Sequence, residues 1–338
     1  MSIITNSCII RSNIIMGPTP STALYAFSTF TFTNASATGR SGPTLSACQS
    51  AYSATSWTQN TSFFNMTTQG VQLWTVPETA TYEITAAGAA GGNNTQVSPN
   101  RVGGLGAVLT TRVSLTKSDI VAIVVGQLGG NRGVGPTGNY CGGAGGGGSF
   151  VYNNSTISYY VVAGGGGGAA ASGSNLLTTQ TTANGKYDTT SGSTVSIAGG
   201  SSAAGGTGGN GGGKSTRGVL FAGPGAGILS DGAASNGLQG LSRVGGWLGG
   251  FTTTNSNYTV AGGFGGGGGA GDGSNNASYA NYCWSGGGGG YSGGGGGGNG
   301  GAGDGQYGGG GGSFYAGTFV SGTSGNNTSH GYVTITKI

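Results

Sequence analysis

From Phe27 onward the chain alternates apolar and polar positions. Phe30 and Phe32 sit between Thr29, Thr31 and Thr33, and Val71, Leu73 and Thr75 alternate with Gln72, Trp74 and Val76. A period of two places successive side chains on opposite faces of an extended backbone, so each stretch predicts a β-strand. Tyr82, Ile84 and Ala86 repeat the pattern after Pro77, Leu109 to Leu115 repeats it again, and Tyr332 to Ile338 ends the chain in the same style. Ile120 to Val125 is a continuous apolar run, which suits a strand buried on both faces. One short helix is predicted around Leu45 to Tyr52, where Thr44, after Pro43, can cap the first turn. These elements predict an all-β fold, an antiparallel β-sandwich whose first and last strands pair across a sheet.

Between the strands lie tracts of nearly pure glycine: Gly142 to Gly148, Gly164 to Gly168, Gly205 to Gly213, Gly262 to Gly271, and Gly286 to Gly312. Flexible linkers are one reading of such tracts. However, their interruptions often fall three residues apart, as at Cys141 and Ala144, at Ala204, Thr207 and Asn210, at Ala261, Phe264 and Ala270, and at Asn299 and Ala302. Three residues is the repeat of a polyproline-II-type helix. In a packed bundle of such helices two faces meet neighbours and must lack a Cβ, while the third carries a side chain. With 83 glycines against 7 prolines the composition is not that of collagen. Apolar runs such as Tyr159 to Ala163 also enter the tracts directly. An isolated helix of this kind has no internal hydrogen bond to offset an ordering cost of about 1–2 kcal/mol per residue. Lateral bonds between several helices, worth about 0.5–1.5 kcal/mol each, must be added to the packing of the surrounding shell. The expectation is a single glycine-rich domain over 27–338, with sandwich strands within 27–163 and 331–338 and a polyglycine-II bundle mainly over 141–316.

In this frame several landmarks occur in order: Ser41-Gly42-Pro43-Thr44 with Cys48 and Ala51-Tyr52, Gly70 to Pro77, Gly88 to Gly92, and Val124 to Gln127. Gly262-Gly263-Phe264, Gly286 to Tyr291 and His330 to Val333 follow. Over about Phe32 to Ile338 the chain resembles the extracellular glycine-rich domain of the anaplastic lymphoma kinase and leukocyte tyrosine kinase receptors. The resemblance implies a tumour-necrosis-factor-like, or jelly-roll, sandwich carrying an inserted polyglycine bundle. Receptor function is not expected to follow, because the acidic residues those receptors present to basic cytokines lack counterparts; the loop after Gly298 holds only Asp304. In construction alone, the chain also resembles sandwich-plus-polyglycine proteins of virus particles and the tips of some phage tail fibres.

Charge narrows the function. Only 5% of residues are charged, the formal net charge is +4, and the basic residues are scattered, so no nucleic-acid partner is expected. The first 26 residues carry the pairs Ile3 and Ile4, Ile9 and Ile10, and Ile14 and Ile15. They read as a tail that docks on a partner, or else as a terminal strand packed on its own domain; they do not read as a secretory signal or a membrane span.

Candidate chemical sites are sparse. Gly208 to Ser215 satisfies the phosphate-loop pattern, but a glycine tract produces that pattern at any Lys-Ser pair. Asp272 and Asp304 lie in Gly-Asp-Gly turns and are the weak metal candidates, without the nine-residue period of calcium repeats. His330 is the only histidine, and it sits in the turn before the last strand rather than in a triad setting. Cys8, Cys48, Cys141 and Cys283 lack metal-ligand spacing; they allow two disulfides in three connectivities, while a virion protein assembled inside the cell would keep its thiols. No cofactor and no enzymatic activity are expected. The segments between tracts, at 131–140, 173–196, 251–258 and 274–284, carry aromatics amid small polar residues. Tyr140, Tyr258, Tyr279, Tyr282 and Trp284 are accordingly the candidates for binding a host glycan or surface receptor, with packing on the flank of the bundle as the competing reading. The expected role is that of a surface-exposed virion structural protein, a tail-fibre, spike or capsid-decorating adhesin, that forms homo-oligomers or meets other virion proteins. A secreted ligand-binding module and a self-assembling extracellular filament are the alternatives.

Overall fold

The computed structural model describes residues 22–95, 100–132, 142–170, 179–197, 202–214, 222–251, 259–271, 284–298 and 305–338. The strands in chain order are β1 (Thr29–Phe32), β2 (Phe64–Asn65), β3 (Val71–Thr75), β4 (Ala80–Ala87), β5 (Gly106–Leu115), β6 (Ile120–Val124) and β7 (Ser149–Asn153). They continue with β8 (Tyr159–Ala163), β9 (Thr259–Val260), β10 (Ala270–Gly271), β11 (Phe314–Tyr315), β12 (Thr318–Asn327) and β13 (Tyr332–Lys337). The helices are α1 (Leu45–Ala51) and α2 (Gln180–Ala183). The Thr44 side chain accepts the Ala47 N–H and caps α1, as the sequence predicts.

Two antiparallel sheets form the sandwich, one in the order β1-β13-β4-β5-β12 and one in the order β11-β8-β7-β6-β3-β2. The expected pairing of first and last strands is present, with Phe30 opposite Ile335 and Phe32 opposite Val333. Phe32, Tyr82, Ile84, Leu109, Val333 and Ile335 from the first sheet meet Phe64, Trp74, Val121, Ile123, Val151 and Val161 from the second in one buried core. The outer face of the first sheet is polar. Thr29 bonds Thr336, Thr31 bonds Thr334 and Thr85 bonds Thr110, each hydroxyl pair at 2.9 Å. One face in the core and one in water explains the clean alternation in β4 and β13.

The second sheet is buried on both faces, which explains its continuous apolar runs. On the side away from the sandwich core, Val71, Leu73, Val124, Phe150 and Val162 pack with Trp247 and Phe264 from the glycine-rich part. Trp247 stacks on Phe150 with ring centroids 3.9 Å apart.

Beyond that face the glycine tracts form a hydrogen-bonded bundle with a three-residue period. The N–H groups of Gly143 and Gly146 donate to Ala169 and Gly166, those of Ala144 and Gly147 to Gly130 and Gln127, and those of Gly145 and Gly148 to Gly268 and Gly265. Three successive residues thus address three different neighbours, and the fourth returns to the first. The tract after Trp284 does the same: Gly286 and Gly289 bond the 142–148 tract, Gly287 and Gly290 bond Gly223 and Ala226, and Gly288 and Tyr291 bond Gly309 and Gly312. This is the lateral bonding that polyproline-II-like geometry permits, because its groups point outward in three directions. Close approach excludes side chains: a Cβ on Gly145 would lie 2.0 Å from the Gly287 carbonyl oxygen. Residues that break the tracts meet one another instead, as Ala144, Val260 and Ala270 do in one buried cluster.

Two expectations need correction. The bundle also recruits the tracts at 88–92, 103–107 and 126–130, for example through Gly91 to Gly104 and Gly104 to Gly167. Strands are not confined to 27–163 and 331–338, because β12 pairs with β5 along the edge of the first sheet and β11 with β8 along the edge of the second. The ten residues of β12 include two glycines and two asparagines, a composition that reads as loop.

Candidate functional site

The described surface contains a cleft of about 330 Å³ at the open edge of the sandwich, where β11 and β12 emerge. Its apolar lining is made by the rings of Tyr187, Phe314, Tyr315 and Phe319, and its polar lining by Asp188, Thr189, Thr190 and Ser313. Edge strands leave one side of the sandwich uncovered, and here the segment following α2 is drawn across that side. The Asn184 side chain accepts the Leu105 N–H at 2.8 Å, Lys186 N–H donates to Gly311, and Tyr187 N–H donates to the Ser324 hydroxyl. Ser313 N–H in turn donates to Thr189. The segment is therefore fastened to the first sheet on one side and to a bundle tract on the other.

The rings are placed by backbone geometry. Gly322 makes room for Tyr187, since a Cβ there would stand 2.2 Å from the tyrosine ring. A bulge lies between Phe319 and Ser321, which leaves Val320 without a partner in β5. Such bulges end regular pairing and re-aim adjacent side chains. Phe319 is nearly parallel to Tyr187, with centroids 6.3 Å apart and planes 17° apart, and Tyr315 leans on Phe319 at 4.9 Å and 40°. Tyr315 and Phe319 remain 41% and 40% exposed, so this braced pair is partly open to solvent. Phe314 is held from behind by Tyr291, stacked at 4.9 Å. The Asp188 carboxylate is exposed and has no hydrogen-bond or ion-pair partner among the described residues. Of the hydroxyls, Ser313 is buried and its Oγ accepts the Gly164 N–H, whereas exposed Thr189 accepts the Ser191 N–H through Oγ1 and keeps its O–H free to donate.

A stretch of 98 residues, 29% of this chain, is 40% identical to the leukocyte tyrosine kinase receptor of Mus musculus. The chain is similar to part of a receptor. That match spans 11% of the receptor's length, about one tenth, and no protein-family model matches the chain.

The residues singled out from sequence fare differently. Tyr140, Tyr258, Tyr279 and Tyr282, the aspartates Asp272 and Asp304, and the tail isoleucines Ile3, Ile4, Ile9, Ile10, Ile14 and Ile15 all lie outside the described residues. Trp284 is described, and it is corrected: the ring is 1% exposed and packs with Ala222 and Leu238, so it has no face to offer a ligand. The phosphate-loop pattern is likewise excluded as a cradle. The N–H groups of Gly209 and Gly211 donate to the Ser292 and Ser230 hydroxyls, and those of Gly212 and Gly213 to Gly225 and Ala204, so they are already engaged in the bundle. The Lys214 ammonium donates to the Ala234 carbonyl.

Cys48 is a buried free thiol, and burial pushes its pKa up to about 12. Of the two readings left open, disulfides or retained thiols, Cys48 keeps its thiol; Cys8, Cys141 and Cys283 lie outside the described residues. His330 Nδ1 accepts the Leu128 N–H at 3.2 Å, and burial pushes its pKa below the ordinary histidine value. Its role is structural, beside Asn327, whose amide donates to the Gly88, Ser329 and His330 carbonyls. Among the described residues no group of histidine, cysteine and carboxylate side chains could hold a metal ion, and no helix is long and apolar enough to cross a membrane.

Of the cleft, only Tyr187 and its neighbours fell within a segment flagged from sequence, 173–196. Tyr315 and Phe319 were not flagged, and the Phe-Tyr and Thr-Phe-Val runs between glycines were the signal available for them.

Proposed function

We propose that this chain is a non-enzymatic recognition scaffold displayed on an outer surface, in the setting of a virus particle: a fibre, spike or capsid-decorating component that acts as an adhesin. The single observation that carries the recognition role is the cleft of exposed, mutually braced rings fastened between the sandwich edge and a bundle tract. A rigid frame of laterally bonded backbone fixes those rings before any ligand arrives, which lowers the ordering cost of binding. Aromatic faces rimmed by hydroxyls and a carboxylate provide recognition rather than chemistry. A secreted ligand-binding module is the second reading, and the likeness to a receptor favours it.

The test starts with the source culture. Mass spectrometry should find the chain in purified particles at a fixed stoichiometry. Recovery of the chain free in the medium, and not with particles, would replace the particle reading by the secreted one. Purified protein should also bind the surface of susceptible cells, and Phe319→Ala should reduce that binding; unchanged binding by this variant would remove the cleft from the recognition role.

A further inference from the structure

Resting on the recognition reading, we infer that the cleft takes a carbohydrate, with one pyranose ring lying on an exposed face of the Phe319 and Tyr315 pair and its vicinal hydroxyls donating to the Asp188 carboxylate. Three observations lead to this ligand class. The rings of Tyr187 and Phe319 are stacked with planes 17° apart, and Tyr315 leans on Phe319 at 4.9 Å and 40°, so the three brace one another as a partly exposed stack. An ammonium-binding cage needs ring faces converging on one point, and a stack does not enclose one. A pyranose presents a flat face of C–H bonds, which gains dispersion and hydrophobic contact on the outer face of such a stack.

The cleft lining also carries polar groups. Asp188 offers two acceptor oxygens with no partner of their own among the described residues, and a hydroxyl donor remains on exposed Thr189. Each hydroxyl of a sugar is both a donor and an acceptor, and a carboxylate beside a hydroxyl matches both. The size agrees as well, since a cleft of about 330 Å³ lies at the small end of ligand pockets, enough for one or two sugar units and too small for a peptide helix or strand.

The probes are the methyl glycosides of glucose, mannose and galactose, with tetramethylammonium as the cation control, read by saturation-transfer NMR and by tyrosine fluorescence on the full chain. At least one glycoside should show transfer concentrated on its ring C–H protons, and Phe319→Ala should abolish it. Asp188→Asn, an exposed change that leaves the fold alone, should weaken the same glycoside by about ten-fold, the scale of a hydrogen bond to a charged group. Circular dichroism and the melting temperature of Phe319→Ala should match those of the wild type, which separates loss of the ring from damage to the fold. Binding of tetramethylammonium that is lost in Asp188→Asn, with no glycoside bound, would overturn the carbohydrate assignment in favour of a cationic ligand.

Periodate oxidation of target cells separates this inference from the one beneath it. If wild-type protein still binds oxidised cells while Phe319→Ala does not, recognition through the cleft stands and the carbohydrate falls. If Phe319→Ala binds untreated cells as the wild type does, the cleft itself is not the recognition site and both fall.

Discussion

A methyl group on Gly145 would meet the Gly287 carbonyl at 2.0 Å, backbone against backbone, with no flexible side chain to move aside. Gly208 differs: its φ is +59°, yet nothing lies within 4 Å of the added carbon. Gly145→Ala is therefore expected to cost about 3 kcal/mol or more through overpacking, and Gly208→Ala about 1–2 kcal/mol through left-handed strain alone. Urea denaturation of the two variants measures the difference, and equal losses would contradict the close approach of the tracts. His330 gives a second test at this scale. Its folded pKa lies below the unfolded value, so the unfolded chain binds the extra proton first. Its stabilising contribution is complete above about pH 6.5 and is lost as pH falls through the folded pKa. Melting temperature should decline from pH 7 to 5, and His330→Gln should flatten that decline. Which glycines must stay bare was legible in the triplet spacing of the breaks around Ala144 and Ala204. Which oxygen each one faces was not, because partners such as Gly145 and Gly287 are joined only by the folded topology.

Strands whose two faces see different surroundings could be read directly, as could α1 with its Thr44 cap. Where one strand face meets the bundle, as in β6 and β8, the pattern became a plain apolar run, and the sequence could not say what covered it. The covering groups, Trp247 and Phe264, come from glycine-rich segments far along the chain. Trp247 is buried at φ +62°, stacked on Phe150. Removing its ring should cost about 3–5 kcal/mol. Trp247→Ala measured by chemical denaturation should show this loss, whereas a change under 1 kcal/mol would mean that the second sheet and the bundle are joined elsewhere. β12 was missed because glycine and asparagine are poor strand formers; its place is fixed by pairing with β5 and by the segment drawn over it. The cleft depends on that pairing, so its rings were individually visible in the sequence but not as a group.

At the scale of the whole molecule, the sandwich and the bundle share the second sheet as a common wall, and the tracts bond one another rather than the solvent. In the tracts at 142–148, 286–291 and 308–312 the bonding address repeats after three residues, toward three neighbours in turn. The length of a tract is consequently constrained in a way its composition is not. Inserting one residue turns every later N–H by a third of a revolution and aims it at the wrong neighbour, while inserting three restores the aim one turn further along. Bundles of this kind can gain or lose chain freely in the loops that join the tracts, but within a tract they can grow or shrink only in steps of three, much as a coding sequence keeps its reading frame.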